Sequence, residues 1–240
     1  MITMRLDKLL SSSGLGTRKE VKELIRKKHV IVNNKIITND DFKVDENTDI
    51  IFVDGEEIKY QKYIYIMLNK PAGVVSATFD SKEKTVIDLV SEYSHYDLFP
   101  FGRLDKDTEG LLILSNDGKL AHNLLSNKKH VTKKYYVEVL GKLNENDINI
   151  FKEGITIDGN EKCLPAVLEI IESNEKSRCF VTITEGKYHQ VKRMFETLKK
   201  PVIYLKRVEF GSIHLDSSLS LGQYRLLKEE ELNILLNKKK

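Results

Sequence analysis

The stretch Gly102-Arg103-Leu104-Asp105-Lys106-Asp107-Thr108-Glu109-Gly110, running into Leu111-Leu112-Ile113-Leu114 and then Ser115-Asn116-Asp117-Gly118, decides how the chain is organised. A polar loop gives way to a short apolar run and then to a polar turn. The run Leu111–Leu114 reads as a buried strand. Asp105 lies between the basic residues Arg103 and Lys106, close to the glycine at 110. Backbone mobility before Leu111 would let its carboxylate face a cleft. A carboxylate on a loop anchored by a buried strand is well placed for chemistry. The plain alternative is a solvated acidic loop.

Outward from that stretch, 240 residues can bury a sizeable core and hold one large domain or two unequal ones. The net charge of +3 is modest, so its distribution matters more than its sum. Cys163 and Cys179 form no paired ligand motif. A disulfide or two free thiols would both be consistent with them, and with no secretory leader reduced, buried thiols are favoured. No run approaches the roughly 20 apolar residues that span a bilayer. The expected location is the cytoplasm, and with no exposed heptad the default state is a monomer.

Towards the N-terminus, Leu6, Leu9 and Leu10 have helical spacing within a helix expected over residues 2–10, which Gly14 and Gly16 stop. Thr17 and Glu20 have the spacing of a capping box, and Val21, Leu24 and Ile25 give the next helix an apolar stripe. Short alternating segments follow at Val30–Val32 and 50–53, with turns at Asn33-Asn34 and Asp54-Gly55. Charge is segregated. Arg5, Lys8, Arg18, Lys19, Lys22, Arg26, Lys27 and Lys28 crowd the first helices, whereas residues 40–57 are mostly acidic. A basic face matched to few local acids suits phosphate contacts, which fix position rather than read sequence. Beyond residue 60 the pattern turns β-rich. Strands are expected at 63–68, 111–114, 135–139, 179–184, 202–205 and 208–210, and helices at 85–90, 119–125, 190–198 and 226–236. The whole reads as α+β.

Metal and nucleotide-cofactor chemistry find no support. His122, His130 and His189 lack metal-ligand spacing, and there is no phosphate-binding glycine loop or dinucleotide fingerprint. Basic groups at Lys128-Lys129-His130 with Lys133-Lys134, and at Lys187, Lys192 and Arg193 with Lys199, Lys200, Lys206 and Arg207 beyond, flank the loop in sequence. If the fold brings them around Asp105, that carboxylate sits in an electropositive cleft suited to RNA.

Two resemblances add to this reading. Arg5-Leu6-Asp7-Lys8-Leu9-Leu10, Thr17-Arg18-Lys19-Glu20-Val21, Leu24-Ile25 and Val30-Ile31-Val32-Asn33 resemble an S4-type RNA-binding domain, with Asn34 and His29 where that family often has glycine. Gly102-Arg103-Leu104-Asp105 with Thr108, Gly110-Leu111-Leu112 and Asn116-Asp117-Gly118 resembles the signature of the pseudouridine synthases. So do Leu68-Asn69-Lys70-Pro71-Ala72-Gly73, Lys133-Lys134-Tyr135-Tyr136-Val137 and the run from Glu185 to Phe195. The whole chain is similar to the ribosomal RsuA/RluB/RluE/RluF branch, and the Lys-Tyr-His-Gln-Val-Lys-Arg-Met-Phe run looks most like its small-subunit member.

The resemblance implies an S4-like RNA-binding domain over 1–60 and a catalytic domain over 61–240. The latter would hold a mixed, mainly antiparallel central sheet with flanking helices. It implies isomerisation of uridine to pseudouridine without a cofactor, in 16S rRNA of a small-subunit assembly intermediate and at position 516. Large-subunit 23S rRNA and a non-catalytic assembly role are the alternatives. Asp105 matches the essential aspartate, acting by attack on the sugar or by proton removal. Tyr135 matches the tyrosine that stacks on the target base, and Lys192 the basic partner of the aspartate, with Arg193 as its competitor and as a substrate contact. Arg103 matches a residue that reaches into the RNA, and Leu205 one that packs beside the tyrosine.

Overall fold

The computed structural model describes residues 3–125 and 130–236. Lys128, Lys129 and the tail Lys238–Lys240 lie outside the described residues. The chain forms two compact units. The first holds the chain through Ile64 together with Ser91–Leu98, and the second holds Tyr65–Val90 and the chain from Phe99 onward.

In the first unit, β1 (Thr3–Arg5) precedes α1 (Leu6–Ser12) and α2 (Arg18–Arg26). Then come β2 (Val30–Val32), β3 (Lys35–Ile36), β4 (Lys43–Asp45), β5 (Ile51–Val53) and β6 (Glu56–Glu57). The helix expected from residue 2 begins only at Leu6. Residues 3–5 are drawn into an antiparallel pair with β4, and Leu6 N donates to Phe42 O at 2.7 Å. A tertiary partner for the backbone thus overrides a weak local helix signal. Thr17 and Glu20 close the capping box of α2, with Thr17 N donating to Glu20 Oε2 at 2.7 Å. Asn33 and Asn34 both take positive φ, which explains why asparagine serves in the β2–β3 turn. The left-handed residue before β2 is Lys28 rather than His29, whose ring instead meets Asp54. Leu6, Leu9, Leu10, Val21, Ile25 and Val30 are fully buried and form the core of this unit.

The second unit is built on one sheet. Its strands are β7 (Tyr65–Lys70), β8 (Phe99–Pro100), β9 (Glu109–Ser115), β10 (Lys133–Leu140), β13 (Val167–Glu172), β14 (Lys176–Ile183), β15 (Val202–Phe210), β16 (Ile213–His214) and β17 (Tyr224–Leu226). The short pair β11 (Thr156–Ile157) and β12 (Glu161–Lys162) stands apart. The helices are α3 (Gly118–Leu125), α4 (Glu145–Glu153), α5 (Gln190–Thr197) and α6 (Glu229–Leu235). The order across the sheet is β13-β14-β10-β15-β9-β7-β17, with β8 on β9 and β16 on β15. Every pairing in the sheet is antiparallel except β15 with β9. β9 is buried along nearly its whole length, as its apolar run predicts.

Four elements differ from expectation. Asn69 and Lys70 extend β7 rather than starting the turn, because they pair with Leu111 and Gly110. Segments 202–205 and 208–210 form one continuous strand. The leucine-rich end splits. Leu226 pairs with Ile66 on β7, and α6 starts only after it, where Lys228 N donates to Glu231 Oε2 at 2.8 Å. The helix expected at 85–90 is a 3-10 segment, Asp88–Tyr96, begun by Thr85 donating to Asp88.

Candidate active site

The loop before β9 is tethered from beneath. Lys70 is completely buried, and its Nζ donates to four backbone carbonyls: Thr108 at 2.8 Å, Pro71 at 3.0 Å, Asp105 at 3.1 Å and Lys106 at 3.2 Å. Ser76 Oγ donates to Leu104 O at 2.8 Å and accepts from Leu104 N at 3.1 Å. Gly73 N donates to Lys106 O at 2.8 Å. Gly110 is not a mobile hinge. It lies inside β9 between Lys70 and Arg207, and a Cβ there would stand 2.2 Å from Arg207 O. Its φ of +101° and the close approach of β15 both demand glycine. The carboxylate of Asp105 is therefore aimed by a fixed loop.

Asp105 is half-buried at the edge of a solvent-open cleft of about 90 Å³, lined among others by Arg103, Thr108, Tyr135, His189 and Leu205. Lys192 Nζ lies 3.1 Å from Asp105 Oδ2, and His189 Nε2 lies 3.6 Å from Oδ1. Lys192 also reaches Asp107 Oδ1 at 2.6 Å. Burial alone would lower the Lys192 pKa, but its hydrogen bonds to Asp107 and Asp105 outweigh this and hold it above its ordinary value. Burial likewise acts to raise Asp107, and the Lys192 ammonium overrides it and keeps that carboxyl low. Tyr135 and Leu205 come from adjacent strands. Val137 is opposite Leu205 and Tyr135 opposite Arg207, which puts all four on one face. Tyr136 turns to the other face, where its ring meets Phe180 and Tyr204. Arg103 is exposed at the mouth. The Thr108 hydroxyl is buried beside the cleft with no partner among the described residues.

Several expected residues do not gather here. Arg193 turns away from Asp105, to Asp158 Oδ1 at 2.6 Å and Glu161 Oε2 at 3.1 Å, because one step along α5 rotates it to a different side from Lys192. Lys134 pairs with Glu169, and His130 lines a separate cavity with Phe210 and Ile213. Lys200 pairs with Asp147. Arg207 is buried behind Tyr135, donating from Nε to Leu111 O at 2.7 Å. Burial pulls its pKa down, and the neighbouring Tyr135 hydroxyl works the other way. Electropositive character at Asp105 thus comes from the 187–193 segment and not from the described part of 128–134.

In the first unit, Arg5 pairs with Asp7, Lys22 lies 3.8 Å from Asp7, Arg26 pairs with Asp40 and Lys27 with Glu23. Among the described residues, Lys8, Arg18, Lys19 and Lys28 have no ion pair. Acids from the 40–57 segment therefore neutralise less of the basic face than proximity in sequence suggests.

Sequence reasoning missed the contacts that Lys70, Asp107 and His189 make around Asp105. Lys70 left a trace, since a lysine at the end of an apolar strand must find acceptors if the strand is buried. The contacts of Asp107 and His189 depend on where α5 docks. Cys163 and Cys179 are free, buried thiols, the latter pushed up to about 12 by burial, which leaves it protonated and unreactive. Among the described residues no three His, Cys, Asp or Glu side chains converge as a metal site, and no helix is long and apolar enough to cross a membrane.

A carboxylate set between a lysine and a histidine beside an aromatic ring can act on the sugar of a nucleotide whose base stacks on that ring. Comparison with known proteins identifies the family. Residues 64–197 match the RNA pseudouridylate synthase family and residues 4–50 the S4 domain. A Bacillus subtilis protein named uncharacterized RNA pseudouridine synthase YtzG is 48% identical over 97% of this chain and 98% of its own length. The ribosomal small subunit pseudouridine synthase A of Vibrio cholerae is 40% identical over 95% and 98%, and that of Escherichia coli 38% over 95% and 98%. A crystal structure of a pseudouridylate synthase superposes with a TM-score of 0.68, at 35% identity over 97% of this chain and 99% of the other. The chain belongs to the RNA pseudouridylate synthases, isomerases acting on RNA, and carries an S4 domain ahead of its catalytic domain.

Proposed function

We propose that the protein converts one uridine of 16S rRNA to pseudouridine, the one at position 516, on a small-subunit assembly intermediate in the cytoplasm. It acts as a monomer and without a cofactor. The observation that carries the chemistry is the Lys192–Asp105–His189 clamp at the end of a loop held by Lys70. The near full-length identity to proteins named for the ribosomal small subunit supports the substrate.

The reaction breaks the N1–C1′ bond, turns the uracil and forms a C5–C1′ bond, so its atoms balance without a co-reactant. Uracil stacks on Tyr135 with Leu205 beside it, and Arg103 at the mouth holds the nucleotide out of its helix. Asp105 then meets the ribose, attacking C1′ or taking a proton from C2′. Both routes begin with a carboxylate oxygen of Asp105 at the ribose, held in place by Lys192 Nζ 3.1 Å from Oδ2. The exposed cations Lys8, Arg18, Lys19 and Lys28 contact phosphates.

Asp105→Asn keeps the shape of the site and removes the ionisable oxygen. It lowers turnover on the order of 10³-fold or more while RNA affinity holds. Retained turnover would refute the role of Asp105. Mapping of pseudouridines in ribosomal RNA from cells lacking the protein tests the substrate. A loss confined to 23S rRNA would overturn that part.

A further inference from the structure

The chemistry above leaves unused the ring of Tyr188 and the stack that it makes with His189. Their rings stack face to face, with centroids 3.8 Å apart and planes 19° from parallel. Tyr188 is 77% exposed, although a tyrosine ring ordinarily hides most of its apolar surface. His189 carries this stack to the cleft, standing 3.6 Å from Asp105. Its backbone is left-handed, at φ 47° and ψ 34°, a conformation that costs a non-glycine residue free energy and persists only where its surroundings enforce it.

The enforcement is visible. Arg193 Nη1 donates to Tyr188 O at 3.0 Å, and Arg193 is itself held by Asp158 and Glu161. The buried Gln190 fixes the other flank, accepting from Lys187 N at 2.9 Å and donating to Glu185 at 2.9 Å. Arg193 thus shapes the rim of the cleft rather than its floor. The cleft offers one aromatic face inside, at Tyr135, and the rim offers a second, solvent-facing one.

We propose that the Tyr188–His189 stack is a platform for a second RNA base, the one next to the target uridine in the strand. Bases of unpaired RNA stack on aromatic faces whatever their hydrogen-bonding edges. Once the target leaves its helix, its neighbour loses a stacking partner, and the exposed Tyr188 ring supplies one. The inference rests on the reading that Asp105 acts on a uridine in this cleft.

The test combines a change in the protein with a change in the RNA. Wild type and Tyr188→Ala are each given a short hairpin substrate with the target's neighbours intact, or with an abasic site on the 5′ or the 3′ side. In wild type, an abasic site on one side lowers kcat/KM roughly tenfold, within the range for one base–aromatic stack. Tyr188→Ala shows the same loss on intact RNA and no further loss when that base is absent, and Tyr188→Phe behaves as wild type. Insensitivity of wild type to both abasic sites, fully additive losses, or a Tyr188→Phe variant as weak as Tyr188→Ala would each overturn the platform. Turnover of intact RNA by wild type reports on the reading of Asp105 separately. Should that turnover be absent, 2-aminopurine in place of the neighbouring base still reports on the platform. Its fluorescence is quenched on binding wild type and not on binding Tyr188→Ala, and equal quenching by both would overturn the proposal.

Discussion

The two units use the same residue types in opposite ways. In the first, lysines and arginines stand in water. Arg26 is 65% exposed and paired with Asp40, Lys27 is 68% exposed, and Lys8, Arg18, Lys19 and Lys28 have no ion pair among the described residues. In the second, the decisive cations are withdrawn from water and spend their donors on backbone carbonyls or on the carboxylates of the Asp105 loop. Lys70 holds four carbonyls, Arg207 holds Leu111 O, and Lys192 holds Asp105 and Asp107. Exposed charges give adjustable, salt-screened attraction to a polyanion. Buried charges give geometry, because each donor removed leaves an acceptor stranded in a poorly solvated place. Exposed and buried cations are thereby separated along the chain.

That contrast breaks most severely at Lys70. Lys70→Met keeps the volume and removes the tether, so turnover falls about hundredfold as the Asp105 loop loosens, with RNA affinity little changed. An unchanged kcat would mean that the loop holds its shape without the lysine. The same residue gives a pH signature. Burial pushes its pKa down from 10.5 to about 8, against the raising effect of Asp107, Asp105 and Glu109. Between those two values the folded state binds fewer protons than the unfolded state, so this group makes stability rise with pH across that window. Below about pH 8 the fold bears the cost of a buried ammonium. The stability of wild type relative to Lys70→Met should therefore climb by up to about 3 kcal/mol from pH 8 to 10.5, measured by urea unfolding. Turnover goes the other way, because the neutral amine has only two hydrogens for four carbonyls. A flat difference in stability across this range would show that Lys70 titrates normally.

Smaller effects come from the first unit. Arg18→Gln with Lys19→Gln acts on KM rather than kcat, and lowers the slope of log affinity against log salt by about 2. A loss of kcat instead would show that these cations act on the chemistry. The smallest change is Thr17→Ala, which removes the α2 cap and lowers the melting temperature of the protein by a few degrees without altering the catalytic rate. No change in melting temperature would mean that α2 is held by packing alone.

Much of this was legible residue by residue. The capping box of α2, the asparagine turn between β2 and β3, the apolar strand at Leu111–Leu114 and the polar loop before it are local patterns, and each is realised within a few residues of where the pattern lies. Asn144 and Asp147 cap α4 in the same way, a signal present in the sequence but left unread. The misses share a cause. Residues 3–5 become a strand because β4 reaches them, and Leu226 joins a sheet rather than a helix because β7 reaches it. The return of Ser91–Leu98 to the first unit, where the His95 ring lies within 3.3 Å of where a Cβ on Gly14 would be, has no local signature.

By itself the sequence determined the α+β class and the buried strand behind Asp105, since these follow from spacing and side-chain character. Only the tertiary structure decided which residues meet. The parallel pairing of β15 with β9 sets Leu205 and Arg207 beside the Asp105 loop, and the docking of α5 chooses Lys192 over Arg193. It also turned a suspected hinge at Gly110 into a clamp, because the backbone of Arg207 passes where a side chain would go. Contacts of that kind join residues about a hundred positions apart. No periodicity encodes them, and close packing of the folded chain enforces them.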